Sequence, residues 1–315
     1  MTQTLLPNPA TVHWGYFDAT LKPVATIDPG ETIAIDSVSG SAESRPIQHG
    51  MTVRPELDAV LQAVKPDLGP HILTGPVAVR GAMPGDALRV EILDVKLADD
   101  WGFTLFKPGM GTLPDDFPYA RTVYLPIDTA ERVIDTTWGI RLKAQPFFGV
   151  MGVAPSPATG RASSVMPSYF GGNLDNKELG AGAVLYLPVS VEGALFSCGD
   201  GHAVQGDGEV CLTAVETGLT GTFKIDLVKD AKLDAPYAET KTHLIAMAFD
   251  EDLDEAARVA LRRLIALIVA RTTLSDADAY QLCSLAADLH VTQLVNRSKG
   301  IHAMIRHDIL AQSKR

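Results

Sequence analysis

The 315-residue chain carries 38 Asp and Glu against 27 Lys and Arg, and 46% of its residues are hydrophobic. That balance describes a folded globular protein rather than a disordered one, and the net charge of −11 argues against nucleic-acid or anionic-membrane partners, which need a basic face. The longest apolar run, Leu264 to Ala270, falls far short of the roughly 20 residues of a membrane-spanning helix.

The opening segment MTQTLLPNPATVHWG has neither a basic leader nor a long apolar stretch, so no secretion signal is expected. Cys198, Cys211 and Cys283 lack CxxC spacing and cannot all pair, which suits buried free thiols in a cytoplasmic protein. Over the first 100 residues, short strands are expected between Gly and Pro breaks, in ETIAIDSVSG, GPVAVRG and DALRVEILDV. In the last of these, Leu88, Val90 and Ile92 alternate with Arg89 and Glu91. In ETIAID, Ile33 and Ile35 hold the apolar parity, which sends Asp36 to the opposite face as a rim or site residue.

Residues 99–165 read as long loops with a few strands, in which Trp101, Phe103, Phe106, Phe147 and Phe148 need apolar packing partners. Such loops wall a pocket, cover an open sheet or meet a neighbouring subunit. PVAVRGA at 76–82 echoes PVSVEGA at 188–194, and each is followed by Gly-Asp, at Gly85-Asp86 and Gly199-Asp200, which predicts a duplicated β unit. From Thr222 the strands TFKIDLV and HLIAMAF precede a helix from Asp252, capped with Glu255, to about Arg271, with Leu253, Ala257, Leu261, Leu264 and Ile268 on one face. Ser275 with Asp278 starts a second helix to about Leu289, and VTQLVN follows as a short strand. The expected fold is mainly β: a duplicated β-sandwich-like core over residues 1–221, with a smaller α/β unit over 222–315 packed on it.

The densest polar stretch, CGDGHAVQGDGEV, sets Asp200, His202, Gln205, Asp207 and Glu209 among glycines, between two strand-like runs. Upstream, MPSYFGGNLDNKEL places Gly171 and Gly172 before Asn173 and Asp175. His202 between Asp200 and Glu209, joined by a His or carboxylate from a distant strand, forms a ligand set for zinc or a similar ion, although the spacing is not that of HExxH. The distant contributors expected are His71, just before the TGPVAV strand, and Asp36; for His71 the plain alternative is a loop histidine bonded to a carbonyl. Asp207 and Glu209 share parity if QGDGEV is extended, so one could ligate while the other serves as general base; both could equally be turn carboxylates bonded to glycine amides. His13, His49, His243, His290, His302 and His307 read as structural or surface residues.

GGNLD followed by GDGHAVQGDGEV resembles the acetamidase/formamidase family of amide hydrolases, and the likeness runs from HWGYFDATLKPV through HILTGPVAVRGAMPGDALRVEILDV and PFFGVMGVAP to VTQLVN. The resemblance implies hydrolysis of short linear amides to carboxylate and ammonia, a β-sandwich-containing fold, a metal site and a homo-oligomer, dimer or higher. At matching positions it makes Asp36, His71, Asp200, His202 and Glu209 polar site residues, with Asn173, Asp175, Gln205 and Asp207 around them. In the resulting expectation Asp200, His202 and either His71 or Asp36 hold a divalent ion, zinc first and calcium as the alternative. Glu209 is the base, Asp207 and Asn173 share the catalytic work with Asn173 orienting the carbonyl, and Gly172, Asp175 and Gln205 contact substrate.

Covalent designs fit the sequence less well: Ser163-Ser164 is a faint trace of a Ser-Ser-Lys arrangement, no G-x-S-x-G elbow occurs, and Cys198 has no assignable base. Two departures stand out. SVSGSAES follows Asp36 where fungal formamidases of this type carry a DWTGGQ-like segment, and Asn296 stands where similar proteins often have Asp. The rival readings are a hydrolase of another C–N bond, in a cyclic imide or a larger amide, and a non-catalytic β-sandwich protein that binds calcium or a small ligand.

Overall fold

The structure, a computed structural model, describes residues 3–46 and 51–313; His49 lies outside them. Two large sheets dominate. The nine-stranded sheet runs Gln3–Leu5, Glu31–Asp36, Leu219–Val228, Ala87–Leu97, Val184–Pro188, Tyr237–Glu239, His243–Asp250, Lys299–Arg306 and Ala287–Gln293. The eleven-stranded sheet has Phe196–His202 near its middle, between Phe147–Gly152 on one side and both Ile72–Val79 and Glu216–Thr217 on the other. Ile33, Leu88, Val90 and Ile225 of the first sheet meet Leu73, Val77, Val150 and Phe196 of the second in one core, as two packed sheets require. The mainly β, sandwich-like architecture is thus present.

Helix α1 (Pro55–Ala63) lies within the region read as strands and loops; it buries Leu57 and Val60 against Trp14, Ile72, Trp101 and Phe103. Helix α2 (Leu253–Arg271) starts where expected, with the Asp252 carboxylate accepting from the Glu255 backbone N–H at 3.0 Å. Its buried stripe is Ala256, Ala260, Leu264 and Ile268, so the inward face is rotated from the expected one and Leu253, Ala257 and Leu261 flank it. Small residues face inward because α2 lies flat on the strands His243–Asp250 and Lys299–Arg306, where Leu244, Ala246, Ile301 and Ala303 complete the second core. Helix α3 (Asp276–Ala286), capped by Ser275, ends before Leu289 because the chain passes directly into the strand Ala287–Gln293. No described helix is long and apolar enough to cross a membrane.

The sequence echo does not mark equivalent copies. Pro76–Ala82 is strand followed by turn, whereas Pro188–Ala194 is the end of a strand followed by a turn. Asp86 closes its turn by accepting from the Met83 N–H and also binds Lys229, while Asp200 sits within the strand Phe196–His202. The two regions are instead neighbours: Phe196–His202 pairs with Ile72–Val79, and Val184–Pro188 with Ala87–Leu97. Position 221/222 falls inside the strand Leu219–Val228, and strands from both sides of it share the nine-stranded sheet.

Candidate active site

The strand Phe196–His202 carries Asp200 and His202, and its glycines let other backbones come close: a Cβ on Gly199 would lie 2.2 Å from the Ile72 carbonyl oxygen, and one on Gly201 2.4 Å from that of Thr217. On one neighbouring strand Glu216 stands opposite His202, and on the other Phe147 does. The result is a buried group of Asp175, Asp200, His202, Glu209 and Glu216 with His71 beside it. His202 Nε2 lies 3.3 Å from both Asp200 Oδ2 and Glu216 Oε1, and 4.0 Å from Asp175 Oδ1 and Glu209 Oε1. His71 Nε2 is 3.8 Å from the same Asp200 oxygen.

Both imidazoles are held from behind. His71 Nδ1 donates to Ser164, 3.1 Å from its carbonyl and 2.8 Å from its hydroxyl oxygen. His202 Nδ1 donates to Gln205 Oε1 at 2.9 Å, and Gln205 Nε2 in turn donates to the Asp175 carbonyl at 2.7 Å. With both Nδ1 atoms occupied, each ring presents Nε2 to Asp200, which is how a protein orients metal-ligating histidines. Backbone conformation matters as much: Asp175, Asp200 and Glu209 have φ of 46°, 57° and 45°, left-handed conformations that a non-glycine residue keeps only when its surroundings hold it there.

The electrostatics follow from four carboxyl groups sharing a nearly dry space. Burial, reinforced by Asp200, pushes Asp175 up to about 7, and burial with Asp200 alongside pushes Glu216 up to about 8. Glu209 rises well above the ordinary carboxylate range through burial and the charge of Asp175. Burial alone would raise Asp200 and lower His202; the charges of His71 and His202 instead hold Asp200 low, and Glu216 with Asp200 holds His202 well above its usual value. Burial lowers His71, with Asp200 opposing.

These residues fit a divalent cation. Asp175 Oδ1 is buried with no donor to satisfy it, although its Oδ2 accepts from Asn296. An added Cβ on Gly149 would fall 2.6 Å from Asp175 Oδ1 and Asp200 Oδ2 and 2.7 Å from His202, so the absence of a side chain there keeps a small cradle open. Donor atoms about 2 Å from one ion stand roughly 3.4 Å apart in a tetrahedron, close to the spacings around His202.

The structure brings together Asp175, Asp200, His202 and Glu209 from the sequence reading, adds His71 through the pairing of Ile72–Val79 with Phe196–His202, and supports the group with Gln205. It separates two others. Asp36 accepts from Arg54 Nη1 at 2.9–3.0 Å, and the same guanidinium binds Asp99 through Nε at 2.6 Å. Asp36 is therefore one anchor of an ion bridge and belongs to none of the metal-competent groups among the described residues. Asp207 points outward to Lys177 at 3.0 Å and His290 at 3.0 Å, because the chain around it turns rather than extends and the shared parity with Glu209 does not hold. Asn173 is buried with Nδ2 on the Val165 carbonyl and Oδ1 without a partner; Gly172 packs near Phe170 and the Met166 backbone. Glu216 was missed by sequence reading. Its signal was a lone carboxylate inside the otherwise uncharged run LTAVETG.

Comparison with known proteins agrees with this construction. The profile of the Acetamidase/Formamidase family matches residues 8–164 and 158–310. An acetamidase of Mycolicibacterium smegmatis is 30% identical over 223 residues, 52% of this chain and 55% of that protein. A formamidase of Methylophilus methylotrophus is 34% identical over 212 residues, 51% of this chain and 52% of that one. The chain thus spans about half the length of these relatives in the match. The crystal structure of an acetamidase from Bacillus halodurans superposes with a TM-score of 0.85 at 31% identity, covering 98% of this chain and 99% of the other. With the family profile covering both halves of the sequence, the chain belongs to the acetamidase/formamidase family.

Proposed function

We propose that the chain hydrolyses short linear amides to a carboxylate and ammonia at the buried group centred on His202. The observation that carries this reading is the cluster itself: four carboxyl groups and two imidazoles with their Nε2 atoms turned to one carboxylate, in a member of a family whose relatives are named acetamidase and formamidase.

Asp175, Asp200 and His202, with His71 and Glu216 beside them, would hold a divalent ion; imidazole with carboxylates favours zinc over calcium, which prefers an all-oxygen shell. Bound there, such an ion supplies a water of lowered pKa and a charge that polarises the amide carbonyl. Glu209 takes a proton from the attacking water and returns it to the departing nitrogen. Its buried position beside Asp175 suits that exchange, since two adjacent carboxyls readily share one proton. Asn173 Oδ1, buried and unpaired, accepts from the substrate N–H, so its role is to orient the amide nitrogen rather than the carbonyl.

Ammonia release from formamide, acetamide and propionamide, measured before and after chelation and zinc readdition, tests the reading. Glu209→Gln is expected to retain the bound ion and lose at least about 100-fold in kcat. Undiminished turnover in that variant would take the base role from Glu209, and no release from any amide by zinc-loaded protein would sink the whole assignment.

We also read the chain as a homo-oligomer, because Met110, Leu113, Phe117, Tyr119, Trp138 and Ile140 all expose large apolar side chains within about 30 residues of sequence. A monomeric mass in sedimentation equilibrium would remove this reading.

A further inference from the structure

Away from the buried site, helix α2 sends one arginine past the end of a strand in the nine-stranded sheet. Arg263 Nη1 donates to the Met247 carbonyl at 2.8 Å. Met247 stands one residue beyond Ala246, where the pairing with Tyr237–Glu239 stops. There Arg263 lines a cavity of about 190 Å³ together with Pro167, Ser168, Pro236, Phe249 and Ser298.

We propose that this cavity is a binding site for a small monocarboxylate anion, held by the Arg263 guanidinium and distinct from the buried cluster.

Three observations support it. Arg263 is half-buried, yet among the described residues the bond to Met247 is its one hydrogen bond and it forms no ion pair, whereas a buried charge is ordinarily paired. Asp234 attracts it without reaching ion-pair distance, and burial still draws the guanidinium below its usual value.

Second, the charged head and not only the apolar stem reaches the cavity. Nη1 is fixed on the Met247 carbonyl, two residues before the lining Phe249, and the charge senses Asp234, directly before the lining Ala235 and Pro236. With Nη1 so held, Nε and Nη2 keep their donors, the fork that takes both oxygens of a carboxylate side-on.

Third, the lining suits both ends of such a ligand. The Ser168 and Ser298 hydroxyls make no hydrogen bond among the described residues and can donate to carboxylate oxygens, while Pro167, Pro236 and Phe249 offer apolar surface to a short alkyl group. One guanidinium balances one negative charge, and the space is smaller than the roughly 300 Å³ at which pockets for larger ligands begin, so the fit is an anion such as acetate.

The consequence reaches the buried site. Ser168 bonds to Gly171 through both backbone groups, in the turn that leads to Asn173, and the Ser298 N–H donates to the carbonyl of Asn296, whose side chain holds Asp175. A carboxylate bound between the two serines would brace both loops from outside.

Thermal unfolding of the full-length protein in sodium acetate, against sodium chloride at equal ionic strength, tests the proposal. With a Kd of about 1 mM, about 20 mM acetate is expected to raise Tm by about 2–4 °C beyond chloride. Two variants are expected to lose that increment while still unfolding cooperatively: Arg263→Gln, whose amide can still donate to Met247, and Ser298→Leu, which fills the cavity and keeps the charge. An equal increment in wild type and both variants would assign acetate to the buried site and overturn the proposal, as would no increment over chloride in wild type. A larger increment with phosphate than with acetate, removed by Arg263→Gln, would overturn the carboxylate assignment. Each outcome reads the same whether or not the chain hydrolyses amides.

Discussion

His202 and Glu216 face each other across two strands, and neither has an apolar alternative to fall back on: with both side chains buried, each depends on the charge of the other. Removing one should therefore be felt as lost ion affinity more than as a lost contact. Glu216→Gln is expected to keep the side chain's shape and weaken zinc binding by about 10–100-fold, read by titration against a chelator; unchanged affinity would place the ion elsewhere in the cluster. Asp36 offers the contrasting case. Asp36→Asn is expected to leave the zinc count of the buried site unchanged and to lower stability by about 1–3 kcal/mol in urea unfolding, because Arg54 keeps only Asp99 as a charged partner. Loss of zinc in that variant would restore Asp36 to the ligand set. Asn296 also acts at this scale: it donates to Asp175, where an Asp would add one more acid to a crowded site.

Among the elements, the strand Phe147–Gly152 does most to make the site possible. It pairs with Phe196–His202 on one side and with Gly171–Asn173 on the other, so Gly149 is held against Asp175, Asp200 and His202 with no freedom to retreat. Gly149→Ala is expected to abolish amide hydrolysis and ion binding and to cost about 1–3 kcal/mol by overpacking. Retained zinc with normal turnover would show that the cradle is wider than the close approach of these atoms implies.

At the same scale, the strands with strict alternation, such as Ala87–Leu97, and the capped helix α2 were readable along the chain, because each signal is local. Helix α1 and the strand Lys299–Arg306 were not. Helix α1 has no capping side chain, and Lys299–Arg306 is buried along most of its length and so lacks alternation.

For the molecule as a whole, the buried carboxyls make stability depend on pH and on the ion together. In the ion-free protein Asp175 and Glu216, raised to about 7 and about 8, hold protons that the unfolded chain releases above about 4.5. The folded state then binds more protons than the unfolded one, so stability is present below the ordinary carboxylate range and is lost as pH rises through those folded values. The raised His202 has the same sign. Buried His13, His71 and His302, all lowered, have the opposite sign and offset this loss below about pH 6.5, so chelator-treated protein is expected to lose Tm mainly between about pH 6.5 and pH 8.5, and added zinc, which displaces those protons, to restore most of it at the alkaline end. A flat profile without the ion would mean that the carboxyls are not confined together.

What the sequence determined by itself was the mainly β character, the starts of helices α2 and α3, the family likeness and three members of the buried cluster, since Asp200, His202 and Glu209 lie within ten residues on a glycine-rich stretch that local reading can isolate. Only the tertiary structure decided which distant residues join them. Strand pairing put Glu216 beside His202 and His71 beside Asp200, Arg54 drew Asp36 away, and a turned backbone sent Asp207 out to His290 and His302. The physical reason is that a side chain's chemistry is written at its own position, whereas its partners are chosen by strand register and by backbone angles that depend on the whole fold.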